Sequence, residues 1–167
     1  MFEDFIIFVP VISQNQMSLT LSIIIPLYNE EKTVTQILDR VRDVILIGNM
    51  EKEVVIVNDA STDDSYNVVQ NYIKDNQLAY FKLYTHEKNK GKGAALHTGI
   101  AEAKGDYLVI QDADLEYDPN EYNDLLNPVL NGSADVVYGS RFRGHLPHRI
   151  LFFWHSIGNG FLTFLSN

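Results

Sequence analysis

The 167-residue chain predicts an α/β fold, a mostly parallel sheet flanked by helices, on three observations. Apolar runs alternate with helical patterns along its whole length. The runs are continuous at their centres and rich in Ile and Val, as in strands buried on both faces. The connections are short, which selects right-handed βαβ units. At 46% hydrophobic, the chain suits one domain with a sizeable core.

The expected strands are 20–28 (TLSIIIPLY), 53–58 (EVVIVN), 79–85 (AYFKLYT), 106–111 (DYLVIQ) and 134–139 (ADVVYG). Helices are expected over 30–47, 62–76, 92–104 and 119–130. Ser61 with Asp64 reads as a capping pair for the second helix, and Asp118 with Pro119 as the start of the fourth. Residues 1–16 carry an apolar run, Phe5–Ile12, preceded by Glu3 and Asp4 rather than by basic residues. They are expected to lie outside the core, with an extra packed strand as the alternative. The core domain is expected over 17–141, followed by a distinct segment, 142–167.

Composition narrows the function. A net charge of -9 argues against nucleic acid, whose phosphates need clustered Lys and Arg. With no cysteine, disulfides, thiolate zinc sites and thiol nucleophiles are excluded, and a cytoplasmic setting is expected. No apolar run approaches the roughly 18 residues of a membrane-spanning helix.

Parallel strands place all their C-terminal ends at one edge, where such sheets bind ligands. The residues following the strands are polar in every case. They are Tyr28-Asn29-Glu30-Glu31, then Asn58-Asp59-Ala60-Ser61-Thr62-Asp63, then His86 to Gly93, then Asp112-Ala113-Asp114, then Ser140-Arg141-Phe142-Arg143. Five polar clusters on one edge predict a site.

The segment KNKGKGAALHTG matches neither the dinucleotide fingerprint nor the P-loop. Gly93, Ala94 and Ala95 are read as small residues that let a helix start close to the sheet. Lys92 is either a solvated lysine or a phosphate contact. Asp112 and Asp114 carry a stronger signal. In an extended segment, residues two apart point to one side, so both carboxylates face one point and repel each other. A hard divalent cation there turns repulsion into coordination, and Mg²⁺ or Mn²⁺ prefers such oxygen ligands. Glu116 is a third candidate ligand if the segment stays extended. Asp59 stands alone at a strand end. It suits recognition of a nucleobase N–H or ribose hydroxyl, or else caps the helix that follows.

Taken together, SIIIPLYNEEKTV, VVIVNDASTDDS, NKGKGAALHTGIAEAKGDYLVIQDADLEYDP and DVVYGSRF resemble glycosyltransferase family 2. The likeness runs from residue 19 to about 165 and is strongest to the branch acting on dolichyl or polyprenyl phosphate. It implies the GT-A nucleotide-sugar fold and an inverting sugar transfer that uses Mg²⁺ or Mn²⁺. It also implies residue roles. Pro26, Tyr28 and Glu30 match the first-strand motif of the nucleotide pocket, and Val57 and Asp59 match positions that hold the base. Asp112, Ala113 and Asp114 match the Asp-x-Asp motif, whose aspartates hold the metal on the donor diphosphate. Arg141 matches an arginine that contacts the donor.

The resemblance also implies a later aspartate as general base in many relatives, which has no counterpart here. The chain is therefore read as a donor-binding half with the beginning of an acceptor half. Ile150, Phe153, Trp154, Ile157, Phe161, Phe164 and Leu165 share a helical face behind Arg141, Arg143 and Arg149. That face is read as either a peripheral membrane contact through 150–165, at the cytoplasmic face, or a surface for further chain. The expected partners are a UDP- or GDP-sugar donor and a lipid-phosphate acceptor. A polysaccharide or protein acceptor, a catalytically silent nucleotide-sugar-binding domain and a nucleotidyltransferase are the alternatives.

Overall fold

The structure, a computed structural model, describes residues 18–115 and 117–137. The segments 1–16 and 142–167, with Glu116 and Arg141, lie outside the described residues. So do the last two residues of the expected fifth strand, 138 and 139, and the apolar face over 150–165.

Four strands form one parallel sheet in the order β3-β2-β1-β4. They are β1 (Thr20–Leu27), β2 (Glu51–Asn58), β3 (Phe81–Thr85) and β4 (Tyr107–Ile110). The helices are α1 (Val34–Asp43), α2 (Ser65–Asp75), α3 (Lys92–Glu102) and α4 (Tyr122–Leu130). The expected alternation and four of the five strands are therefore present. Residues 134–137 carry no strand. The amides of Ser133 and Ala134 both donate to the carbonyl of Pro128, which folds the chain back onto the end of α4.

Leu21 to Ile25 are fully buried in succession, because β1 is central and covered on both faces. The larger core lies on the face shared by α1, α2 and α4, and includes Ile23, Ile25, Ile37, Leu38, Val69 and Leu126. α3 covers the other face over Ile24, Val55, Val57 and Leu108. In α1, Val34, Ile37, Leu38 and Val41 are buried at helical spacing. This helix is shorter than the expected 30–47, because Glu30 and Glu31 are bound into a loop and the chain turns extended at Val44. Lys52 Nζ then donates to the carbonyls of Val41 and Val44 at 2.9 Å each, satisfying acceptors the helix end leaves open.

Two expectations about local chemistry are corrected. Ser61 does not cap α2, since its hydroxyl accepts the amide of Asn29 at 3.0 Å. Asp64, at the N-cap, makes no capping bond, and Asp63 accepts the Ser65 amide at 3.0 Å instead. Nor does Gly93 set the approach of α3 to the sheet. A Cβ on Gly93 would meet nothing within 4 Å, whereas one on Gly99 would run into the Ile24 side chain. Ala95 is fully buried as expected, and Asp118 caps as expected, accepting the Asn120 amide at 3.0 Å.

At the N-terminal edge of the sheet, a buried carboxylate links three strands. Glu53 accepts from Ser22 Oγ at 2.6 Å and from the Lys104 amide at 2.7 Å, and pairs with Lys82. Burial alone would raise its carboxyl, but the bonds from Lys82, Ser22 and Lys104 hold it below its ordinary value. Gly105 enters β4 pressed onto this network. A Cβ there would lie 2.6 Å from Ser22 Oγ and 2.7 Å from the Thr20 carbonyl. Gly105→Ala should therefore destabilise the fold by about 1–3 kcal/mol. Gly93→Ala should be neutral or stabilise by up to about 1 kcal/mol. Urea unfolding of both variants checks the contrast.

Candidate functional site

The sheet order puts the topological switch between β1 and β4, since the chain leaves β1 toward β2 and returns on its other side at β4. A cleft of about 300 Å³ opens there, at the C-terminal edge of the strands. Pro26 helps form it. The Gln111 amide donates to the Ile24 carbonyl at 2.9 Å, just past the last paired residues of β1 and β4. Pro26, two residues on, would aim its N–H to the same side, where β4 has ended. A residue without an N–H leaves no donor stranded at the mouth of the cleft.

Eight expected site residues line this cleft. Pro26, Tyr28 and Glu30 come from β1 and its loop, Asp59 from the end of β2, Lys92 from the start of α3, and Asp112, Ala113 and Asp114 from beyond β4. Val57 does not line it. It is fully buried beneath α3, where Gly99 passes close to its side chain. Leu27, Asn89, Gly91 and Ala95 complete the lining without having been expected as binding residues. For Asn89, Gly91 and Ala95 the signal lay in KNKGKGAAL, whose small residues were read as a close helix start.

Asp59 is the most constrained group. Its side chain is 3% exposed, and both oxygens accept within the protein. Oδ1 takes His86 Nδ1 at 2.6 Å and the Lys90 amide at 2.9 Å, while Oδ2 takes the Gly91 amide at 2.7 Å. Asp59 therefore caps the loop before α3, not α2. A carboxylate only accepts, so His86 Nδ1 carries a proton. His86 Nε2 lies 2.9 Å from Thr98 Oγ1, so one imidazole ties the end of β2 to the middle of α3. Burial would raise the Asp59 carboxyl, but the bonds from His86, Lys90 and Gly91 outweigh it and hold the group low. Sequence reasoning placed His86 in a polar cluster and gave it no role. Nothing in its spacing marks a partner 27 residues away.

The loops after β1 and β2 are laced together by reciprocal bonds. Asn29 accepts the Thr62 amide at 2.7 Å and Ser61 accepts the Asn29 amide. Glu30 donates its amide to Ser65 Oγ at 2.8 Å, and its carboxylate accepts the Thr33 hydroxyl. Beneath the aspartates, Gln111 is fully buried. It accepts the Tyr122 hydroxyl at 2.6 Å and donates to the Asp112 carbonyl at 3.0 Å, which fixes residue 112 against α4.

Asp112 and Asp114 share the cleft as expected, but the chain bends at 113–115 rather than staying extended. Lys92 Nζ lies 3.0 Å from Asp112. Among the described residues, no third His, Cys, Asp or Glu joins them in a metal-binding group. Two hard carboxylates in one cleft fit Mg²⁺ or Mn²⁺, which is usually held by one or two carboxylates and keeps coordination places for substrate phosphates.

The Asp59 geometry has a measurable consequence. A carboxyl held below its unfolded pKa of about 3.9 contributes stability that is complete above that value. The contribution is lost as pH falls through the lower folded pKa. Asp59→Asn keeps one acceptor oxygen for three donors and should cost about 1–3 kcal/mol at pH 7. Its melting temperature should fall less than wild type on acidification from pH 5 to about pH 3, as read by calorimetric scans.

Residues 22–149 match the sequence model of glycosyl transferase family 2. The dolichol-phosphate mannosyltransferase of Pyrococcus furiosus is 32% identical over 72% of this chain and 33% of its own. The UDP-N-acetylglucosamine–dolichyl-phosphate N-acetylglucosaminyltransferase of Methanococcus voltae is 30% identical over 86% of this chain and 61% of its own. The chain thus spans between a third and three-fifths of the length of these relatives. Among solved structures, S. aureus TarS 1-349 in complex with UDP superposes with a TM-score of 0.60 at 28% identity, over 77% of this chain and 38% of that one. The mannosyltransferase PcManGT of Pyrobaculum calidifontis, in complex with GDP-Man and Mn²⁺, gives 0.55 at 27% identity, over 64% and 30%. The parallel sheet with its flanking helices is the GT-A fold of these transferases. The chain belongs to glycosyl transferase family 2.

Proposed function

We infer that the chain is the donor-binding part of a metal-dependent, inverting glycosyltransferase that moves a sugar from a UDP- or GDP-sugar to polyprenyl phosphate. The observation that carries this reading is the shared cleft. Asp112 and Asp114 stand across from the loop at the start of α3, with Pro26, Tyr28 and Asp59 along the remaining wall. Relatives named for dolichyl-phosphate acceptors support the acceptor class, and with it action at the cytoplasmic face of a membrane. Among the described residues, no helix is long and apolar enough to cross one. Family membership sets aside the nucleotidyltransferase alternative.

In this reading the Asp59 wall and the 86–91 loop hold the base, and Tyr28 and Glu30 line the nucleotide's path. Asp112 and Asp114 would hold Mg²⁺ or Mn²⁺, which when bound would supply positive charge beside the leaving nucleoside diphosphate. Glu116 and Arg141 are proposed to assist there. The acceptor oxygen attacks the anomeric carbon opposite the leaving group. A phosphate monoester has a second pKa of about 6, so it arrives largely ionised and needs a general base less than a sugar hydroxyl does.

Calorimetric titration of UDP and GDP, each with and without Mn²⁺, tests the site. One nucleotide should bind in a Mn²⁺-dependent manner, and Asp114→Ala should weaken that binding roughly tenfold or more. Binding that ignores both metal and mutation would overturn the assignment. Transfer of labelled sugar to polyprenyl phosphate then separates a transferase from a silent binding domain.

A further inference from the structure

Lys92 is placed to do more than line the cleft. It is the first residue of α3, while Asp112 follows β4, so the pair spans the cleft from two elements. The ammonium sits 3.0 Å from each carboxylate oxygen of Asp112. Among the described lining residues, Lys92 is the only basic side chain beside Glu30, Asp59, Asp112 and Asp114. Two of those acids are committed elsewhere, Glu30 to the Thr33 hydroxyl and Asp59 to His86 and the 89–91 loop. The Lys92 charge falls on Asp112, one of the two aspartates that fit a divalent cation.

A cation bound by Asp112 must take oxygens that Lys92 already holds, and its charge would repel the ammonium. A nucleoside diphosphate reverses this balance, because its phosphate oxygens offer Lys92 a new anion beside the same aspartates. We propose that Lys92 is a displaceable counter-ion, which holds Asp112 in the unliganded protein, opposes binding of the metal alone, and passes to the donor's diphosphate when both bind. This rests on the donor-site reading above and adds a coupling to it. Metal and nucleotide each bind better in the presence of the other, by the same factor. Lys92 side-chain exposure of 42% and Asp112 exposure of 17% place the pair near the protein surface. The competition is accordingly worth about two- to fivefold in affinity.

The test follows Mn²⁺ alone by its paramagnetic resonance signal, then UDP and GDP by calorimetry at saturating Mn²⁺. It uses the full chain as wild type, Lys92→Met and Lys92→Arg. Lys92→Met should bind Mn²⁺ alone about two- to fivefold more tightly and the nucleotide more weakly. Lys92→Arg, which keeps the charge, should resemble wild type in both. A purely structural lysine would move both affinities in one direction. That result, or a Mn²⁺-alone affinity that is not raised in Lys92→Met, overturns the proposal. If wild type binds neither Mn²⁺ nor nucleotide, the donor-site reading itself is overturned, which is a different result.

Discussion

The carboxylate of Asp59 is the point on which the ligand edge depends. A buried anion is tolerable only when its lone pairs are filled, and here they are filled by an imidazole and two backbone amides. Those donors belong to the segment between β3 and α3, so satisfying the charge and placing that segment are one event. Gly91, at φ 88°, allows the chain to turn its amide inward where a side chain would be strained. Through His86 and Thr98 the same anchor reaches the body of α3. Lys92 and Ala95 then stand at the cleft because α3 cannot shift without stranding the carboxylate.

The two edges of the sheet treat charge in opposite ways. At the N-terminal edge Glu53 is neutralised by Lys82 and two further donors, and Lys52 is spent on the end of α1. At the C-terminal edge four carboxylates line one cleft with a single described lysine. Asp59 and Glu30 are bonded into the loops, whereas Asp112 and Asp114 bring like charges together, which raises the cost of ionising each. In the proposed donor site, a cation bound with the nucleotide would offset that concentration.

The backbone of this fold was readable because its signal is local. Ile23 to Ile25, Val54 to Val57 and Leu108 to Val109 announce buried strands without reference to any other part of the chain. The Asp112–Asp114 pair was readable for the same reason, and its convergence with Tyr28 and Asp59 followed from parallel topology alone. What escaped were choices among partners far apart in sequence. Ser61 next to a helix start looks like a cap, yet Asn29, 32 residues away, claims it. Gly93 looks like the contact glycine, yet it is Gly99 that faces Ile24. His86 had no readable role until Asp59 and Thr98 were placed around it. In each case the deciding contact joins residues far apart in sequence, and only the register of the packed elements sets such contacts.

β4 ends the sheet order and, among the described residues, is bonded on one side only, along Leu21 to Ile24 of β1. Edge strands with few bonds open locally at lower free energy than central ones. The Asp59 wall rests on β2, which is bonded on both sides, whereas the Asp112–Asp114 segment follows β4. Among the described residues, the two halves of the cleft thus differ in the backbone bonding beneath them. Amide exchange would reach the aspartate side first, and a cation held there would act as the rivet that brings the edge strand up to the rigidity of the centre.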